Sequence, residues 1–366
     1  MTLRACIRLA VGLLVPFALA IPIGGACSSF GEEELPEAGV GDGGVGSDTG
    51  LDAPGDVVGE GGGCSRCEAA CLPVGCAPYE PADGLPADLP VTGLAVSGNF
   101  VFVSAAVSGG TLFRIPIPGK SKTSPAVPML TSTPIDDIAL AANDVILASY
   151  LSPSGPIVLS GIDKTTNGGA VRSTSRPSAR VAANDTHAYG AVSEQLHVCS
   201  LASFPNTCIS SPAAALTVSQ LAAVGDSYCI AGSAGGANTG IFCGAGDTLS
   251  PVLRVAEPKV NALTMRGGKV YWATDLLIGS TSYSSNATVT KLPVPGVKAL
   301  AVEGSDLFYT QGTTIVRCPK DDCPDDKRDI LTAVPGIERL AVSDEHVYFT
   351  HGAPGGRRLA RVPRRP

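Results

Sequence analysis

Leu340-Ala341-Val342-Ser343-Asp344-Glu345-His346-Val347-Tyr348-Phe349-Thr350 decides the architecture. A small apolar triplet leads into a polar turn and then into an alternating run of β-branched and aromatic residues, which reads as two short strands joined by a tight connection. The phrase returns along the chain: Leu94-Ala95-Val96 leads to VFVS, Ile138-Ala139-Leu140 to VILAS, Ala179 to Asp185 to HAYG, Leu221-Ala222-Ala223 to YCIAG, Leu263 to Gly268 to VYWAT, and Leu300-Ala301-Val302 to LFYT. The seven anchors at 94, 138, 179, 221, 263, 300 and 340 are separated by 44, 41, 42, 42, 37 and 40 residues. So steady a period marks a repeat architecture.

A second phrase trails the first: Leu112-Phe113-Arg114-Ile115-Pro116, Val289-Thr290-Lys291-Leu292-Pro293, Ile315-Val316-Arg317-Cys318-Pro319 and Leu359-Ala360-Arg361-Val362-Pro363. Looser copies stand at Leu196-His197-Val198-Cys199 and Ile241-Phe242-Cys243, and further strand-like pieces such as Pro251–Val255 and Asp329–Val334 follow. Each unit therefore reads as four strands, A to D, the size of one β-propeller blade. A blade buries neither face alone, and stacking around an axis buries both. The expected fold is all-β, a propeller of seven four-stranded blades over 79–366, with the small triplets nearest the axis. Because the last unit ends after strand C, Tyr79–Val91 is expected to pair with Leu359–Val362 and close the ring. The competing architectures are an open β-solenoid and a pair of sandwiches.

Composition agrees. Of 366 residues, 44 are Gly and 29 Pro, and only 16% are charged. Gly and Pro at this density interrupt helices, and an apolar content of 44% is too high for a fully disordered chain. The net charge of −7 is unevenly placed: residues 28–63 hold nine acids and neither Lys nor Arg, whereas residues 64–366 hold equal numbers of acids and bases. A neutral body gives no electrostatic footprint for nucleic acid.

The N-terminus reads as an address. Arg4 and Arg8 precede an apolar run from Leu9 to Ile23, the pattern of a secretory signal peptide over residues 1–26. Cleavage after Ala20 would fit an A-x-A site. Gly24-Gly25-Ala26-Cys27-Ser28 resembles a bacterial lipobox, with Gly24 where an aliphatic is usual. Lipidation of Cys27 removes one of 12 cysteines, and with Cys6 lost in the leader it leaves ten, an even number for an oxidising compartment. By the rule that goes with that motif, Ser28 implies outer-membrane sorting. Residues 27–63 then form an acidic, Gly-rich tether, spanning about 30–35 Å as a flexible coil. Its Gly41-Asp42-Gly43-Gly44-Val45-Gly46 matches a dinucleotide fingerprint only by composition, because neither strand nor helix flanks it.

Cys64, Cys67, Cys71 and Cys76, within 64–78, read as two disulfides stapling a segment too small for a core; metal ligation is the alternative, and the pairing is open. In the four-strand frame Cys199–Cys208 and Cys318–Cys323 each close a short C–D loop, and Cys229–Cys243 joins strands B and C of one blade.

Val270-Tyr271-Trp272-Ala273-Thr274-Asp275 resembles the YWTD signature with one residue inserted, and the LAV…VYFT and LxRxP phrases resemble YWTD/NHL-type propeller repeats. Lipobox, tether, cysteine cluster and repeats together are similar to β-propeller lipoproteins of Gram-negative bacteria. The resemblance covers residues 80–366 and implies fold rather than activity; YWTD domains usually have six blades, and seven units depart from that.

No catalytic, cofactor or metal-binding residue is assigned. His187, His197, His346 and His351 form no ligand motif, and Ala231 to Gly236 reads as a hairpin loop rather than a nucleophile elbow. Asp321, Asp322, Asp325, Asp326 and Asp329 lack the Gly and terminal Glu of a calcium loop. Arg357, Arg358, Arg361, Arg364 and Arg365 could meet anionic headgroups or simply edge the last strand. The expected function is a monomeric, non-enzymatic, envelope-anchored scaffold that meets the membrane only through its lipid and binds an envelope or extracellular protein or a glycan, without cofactor. The alternatives are a propeller enzyme, a glycan lyase or hydrolase, which requires convergent carboxylates or histidines in the central channel, and a structural spacer. A sugar-binding scaffold requires an exposed aromatic patch.

Overall fold

A computed structural model describes residues 90–364, apart from 106–110, 118–125, 132, 152–154, 193–194, 212–215, 235–237, 285–287, 320–322, 324–327, 332–333 and 353–357. All lie within the compact unit Val57–Pro366. The leader, Cys27, the tether and the 64–78 cysteine cluster lie outside the described residues.

The repeat period becomes seven antiparallel sheets, each with its strands in sequence order. Blade 1 contains β1 (Val91–Ser97), β2 (Phe100–Ala105), β3 (Thr111–Pro116) and β4 (Val127–Thr131). Blade 2 follows with β5 (Ile135–Leu140), β6 (Asp144–Tyr150), β7 (Ile157–Asp163) and β8 (Arg172–Pro177). In blade 3 the strands are β9 (Arg180–Ala183), β10 (His187–Val192), β11 (Gln195–Ser200) and β12 (Cys208–Ser210), and in blade 4 they are β13 (Leu216–Val224), β14 (Ser227–Ala234), β15 (Asn238–Ala245) and β16 (Val252–Ala256). Blade 5 has β17 (Ala262–Arg266), β18 (Lys269–Ala273), β19 (Leu277–Ser282) and β20 (Thr290–Pro293); blade 6 has β21 (Leu300–Glu303), β22 (Asp306–Gln311), β23 (Thr314–Pro319) and β24 (Arg328–Leu331). Blade 7 shows β25 (Arg339–Val342), β26 (His346–His351) and β27 (Arg358–Pro363).

Each first strand touches the first strand of the next blade, and β25 returns to β1. The fold is a seven-bladed β-propeller. The triplets line its axis, as the repeat requires. Among the described residues blade 7 has three strands. The closing strand expected from Tyr79–Val91 falls outside them except for its end, and there Val91 pairs with Ala105 in blade 1 rather than with β27.

Alternation in the second strand builds the core. Consecutive side chains of a strand face opposite ways, so adjacent aromatics serve different neighbours. Tyr348 packs with Val91, Val101 and Phe113 of blade 1, whereas Phe349 packs with Phe308 and Ile330 of blade 6. Trp272 joins the blade 4 side with Cys229 and Val255, and Tyr271 joins Leu300 and Tyr309 of blade 6. Seven such clusters occur, one at each blade boundary. Gly279 lies opposite Trp272, and a Cβ there would come within 2.2 Å of the indole.

The turns between first and second strands follow from local chemistry. Gly304 takes φ 58° in the tight β21–β22 turn, where an L side chain would be strained. Longer turns are closed by side chains instead: Asn184 Oδ1 accepts the His187 N–H at 2.7 Å, and Ser343 Oγ accepts that of His346 at 3.0 Å. One expectation is overturned. Ala231–Ala234 are not loop but the end of β14, because both β13 and β15 continue to pair with them; the Thr217 carbonyl lies against Gly232, where no side chain fits.

The disulfides are Cys199–Cys208, Cys229–Cys243 and Cys318–Cys323. They fit an oxidising compartment outside the cytosol. Among the described residues no helix is long and apolar enough to cross a membrane.

Candidate functional site

The cavity bounded by all seven inner strands is the central channel. At the end where those strands begin, it holds about 260 Å³ lined by Leu94, Asp137, Arg180, Gln220, Ala262, Leu300 and Arg339 among others, and it continues into a larger opening of about 630 Å³. Alignment of the repeats on Leu94 and Leu340 explains the lining. In blade 3 the strand pairing moves the anchor from the expected Ala179 to Val181, which lies opposite Gly190 as Leu340 lies opposite Phe349. The position before each anchor is then Gly93, Asp137, Arg180, Gln220, Ala262, Ala299 or Arg339, and the position before that is Thr92, Asp136, Ala179, Ser219, Asn261, Lys298 or Glu338. Small apolar side chains hold the wall of the channel, and polar ones crown it.

β-Bulges help to place this crown. In blades 1, 2 and 4 the first strand slips register at the same point, between Val91 and Gly93, Ile135 and Asp137, and Val218 and Gln220. The extra residues are Thr92, Asp136 and Ser219, and all three line the opening. A bulge re-aims the side chain it carries, which is why bulges recur beside binding sites.

The crown also laces neighbouring blades together. Thr92 Oγ1 donates to the Ile135 carbonyl at 2.6 Å, the Val181 N–H donates to Asp137 Oδ2 at 3.1 Å, Arg180 Nε donates to the Ser219 carbonyl at 3.2 Å, and Asn261 Nδ2 donates to the Val297 carbonyl at 3.3 Å. Each bond runs from one blade to the next. Gly93 belongs to this arrangement, since a Cβ there would sit 2.6 Å from Ser104 Oγ and 2.7 Å from Ile138 Cγ1.

Electrostatics single out two carboxyls. Burial raises the Asp137 pKa above the ordinary carboxylate range, opposed by Arg339, by the Val181 N–H, by Arg180 and by the Ile138 N–H. Asp137 is thus a desolvated acid held by backbone donors between two guanidinium groups. Burial also raises the pKa of Asp136, opposed by Arg180. Asp136 accepts no hydrogen bond from any described group, and the exposed Lys298 ammonium has no ion pair among them.

The four histidines lie elsewhere. His197 is buried in blade 3, where burial and the nearby Arg176 hold its pKa below the usual imidazole value and Ser210 bonds its Nδ1 at 2.8 Å. Burial and Arg361 likewise lower the pKa of His346. Among the described residues no three His, Cys, Asp or Glu side chains gather as metal ligands. The acidic residues 321–326 fall almost entirely outside the described stretches. Of the C-terminal arginines, Arg361 and Arg364 are buried, 7% and 5% exposed, which removes them from any headgroup surface. The exposed large apolar residues among those described are Leu151, Ile209, Val252, Leu253 and Leu276, so no aromatic patch stands ready for sugar stacking.

Sequence reading singled out none of Asp136, Asp137, Arg180, Lys298, Glu338 and Arg339. The signal was present as a column: each stands one or two positions before a repeat anchor, once blade 3 is anchored on Val181 rather than Ala179.

No protein-family model and no curated protein sequence matches the chain. Solved structures do match, at the level of fold. The WD40 β-propeller domain of Doa1 superposes with TM-score 0.56 at 12% identity, over 76% of this chain and 94% of that one. The computationally designed Ika8 protein gives 0.53 at 12% identity over 78% and 100%. PorZ, a bacterial surface component of the type-IX secretion system of Porphyromonas gingivalis, gives 0.52 at 14% identity over 75% of this chain and 38% of its own. At such identities the shared property is the propeller fold alone.

Proposed function

We propose that this chain is an exported binding propeller that takes its ligand at the crowned end of the central channel and is anchored to the envelope through lipidated Cys27 and the 28–63 tether. The carrying observation is the crown itself: one segment from every blade contributes to a single polar opening. Convergence of unrelated segments on one cavity is the usual construction of a site on a repeat scaffold. The lining fits a hydrophilic ligand, because it offers charges and amides and no aromatic platform.

An enzyme is the second reading, and one observation favours it. Two adjacent carboxyls, Asp136 and Asp137, sit in the channel with raised pKa values, the feature that general acid catalysis needs. Asp137 is already engaged by backbone donors, so Asp136 is the acid such a mechanism would use.

The experiment is a binding screen with envelope glycans, peptides and small metabolites against the purified protein, its Asp136→Asn and Arg180→Gln variants. Binding that both variants weaken supports the channel site, and a bound ligand released chemically altered favours the enzyme. Ligands that bind all three proteins equally place the site elsewhere. For the anchor, cells fed an alkyne fatty acid should label the protein, and Cys27→Ala should lose the label and leave the membrane fraction. Labelling that persists in Cys27→Ala rules out this anchor.

A further inference from the structure

The crown carries three acids, Asp136, Asp137 and Glu338, and three bases, Arg180, Lys298 and Arg339. They are not equally committed. Asp137 accepts the Ile138 and Val181 N–H groups, each at 3.1 Å, and Arg339 is its foremost charge partner. Asp136, one residue earlier on the bulge, faces the opening with no donor among the described groups. Across the blade boundary Arg180 is fixed by Nε to the Ser219 carbonyl at 3.2 Å and by Nη1 to the Ala179 carbonyl at 3.3 Å, which leaves Nη2 directed to no described acceptor. Arg180 and Asp136 sense one another electrostatically yet form no ion pair.

A net-neutral crown of this kind discriminates by charge pattern. A ligand with net charge would leave one charge uncompensated in a partly desolvated place, and a neutral sugar would find no stacking face. The geometry points to a small zwitterion as the ligand, its ammonium on Asp136 and its carboxylate on Arg180, the class of free amino acids and short peptides. An opening of about 630 Å³ admits molecules of that size. The inference rests on the channel being the binding site and adds the class of ligand. Restoration of a cation beside Asp136 would also return its carboxyl toward ordinary ionisation.

Isothermal titration of the intact protein with glycylglycine tests it, with N-acetylglycine, glycinamide and N-acetylglucosamine as the carboxylate-only, ammonium-only and uncharged comparisons. Glycylglycine should bind, each comparison should bind about tenfold more weakly or worse, and Asp136→Asn and Arg180→Gln should each cost about tenfold. Asp344→Asn, on an exposed side chain of the opposite turns, should change nothing. Asp136→Glu and Arg180→Lys, which keep the charges, should retain part of the affinity and show that loss is not loss of folding. Absence of glycylglycine binding at about 10 mM, the range of weak ligands, overturns the inference. So does glycylglycine binding that neither variant weakens. Binding of N-acetylglucosamine that depends on Asp136 overturns the zwitterion while leaving the channel site standing.

Discussion

Arg364 Nη2 donates to Asp306 Oδ2 across 3.0 Å, with side chains only 6% and 3% exposed, and so fastens the end of blade 7 into blade 6. The same nitrogen reaches the Glu303 carbonyl at 2.8 Å, the guanidinium lies over Phe308, and Arg317 holds the other carboxylate oxygen of Asp306 at 3.1 Å. Burial alone would raise the Asp306 pKa, but the two arginines outweigh it and hold the carboxyl below its usual range.

Removal of Arg364 leaves a buried carboxylate half-compensated, which costs about 3 kcal/mol. Arg364→Ala should therefore lower the denaturant midpoint markedly, whereas Arg358→Ala, on an exposed side chain, should change it little. A pH series follows from the direction of the shift. With its folded pKa depressed, Asp306 contributes stability above its unfolded value near 3.8, and this is lost as pH falls through the lower folded value. Arg364→Gln should flatten that acid-side decline. An equally steep decline in the variant would show that Asp306 does not carry it.

The Asp137 carboxylate binds the Val181 N–H of the next blade. Asp137→Ala should leave two N–H groups without an acceptor and cost about 1–3 kcal/mol. Hydrogen exchange at Val181 and Ile138 should accelerate more than at residues of blade 5. Uniform exchange would show that the bond does not join the blades.

Gly279 and Trp272 meet too closely for any side chain at 279. Gly279→Ala should displace the indole from the boundary between blades 4 and 5, with a loss of about 1–3 kcal/mol from overpacking. Red-shifted emission from the one tryptophan of the chain is the readout, and an unchanged spectrum with unchanged stability would refute the contact.

Loop length ranks the disulfides. Cys229–Cys243 spans 14 residues and Cys318–Cys323 spans 5, so chain entropy predicts the larger loss, about 3 kcal/mol, for the Cys229→Ser, Cys243→Ser double variant. Chemical denaturation of the two double variants decides the order.

Much of the fold was legible because a propeller blade repeats its own instructions. The Leu94 and Leu340 triplets, and pairs such as Tyr348-Phe349 and Tyr271-Trp272, encode strand alternation locally, and the period supplies the ring. The candidate site was not legible in the same way. Asp136 and Lys298 occupy equivalent places in different repeats and Arg180 the adjoining one, but they differ in chemistry, so no local motif announces them. Their meaning arises only when blades some forty residues apart in sequence meet around one axis. Arg364 was hidden for a related reason: its partner Asp306 lies 58 residues away.

The split allegiance of Tyr348 and Phe349 reaches beyond packing. Since every second strand donates one face to each neighbour, damage to one wedge loosens two seams at once, and the hoop should give way as a whole rather than shed a single segment. Because the channel opening is lined from all seven blades, that shared fate keeps it either complete or absent.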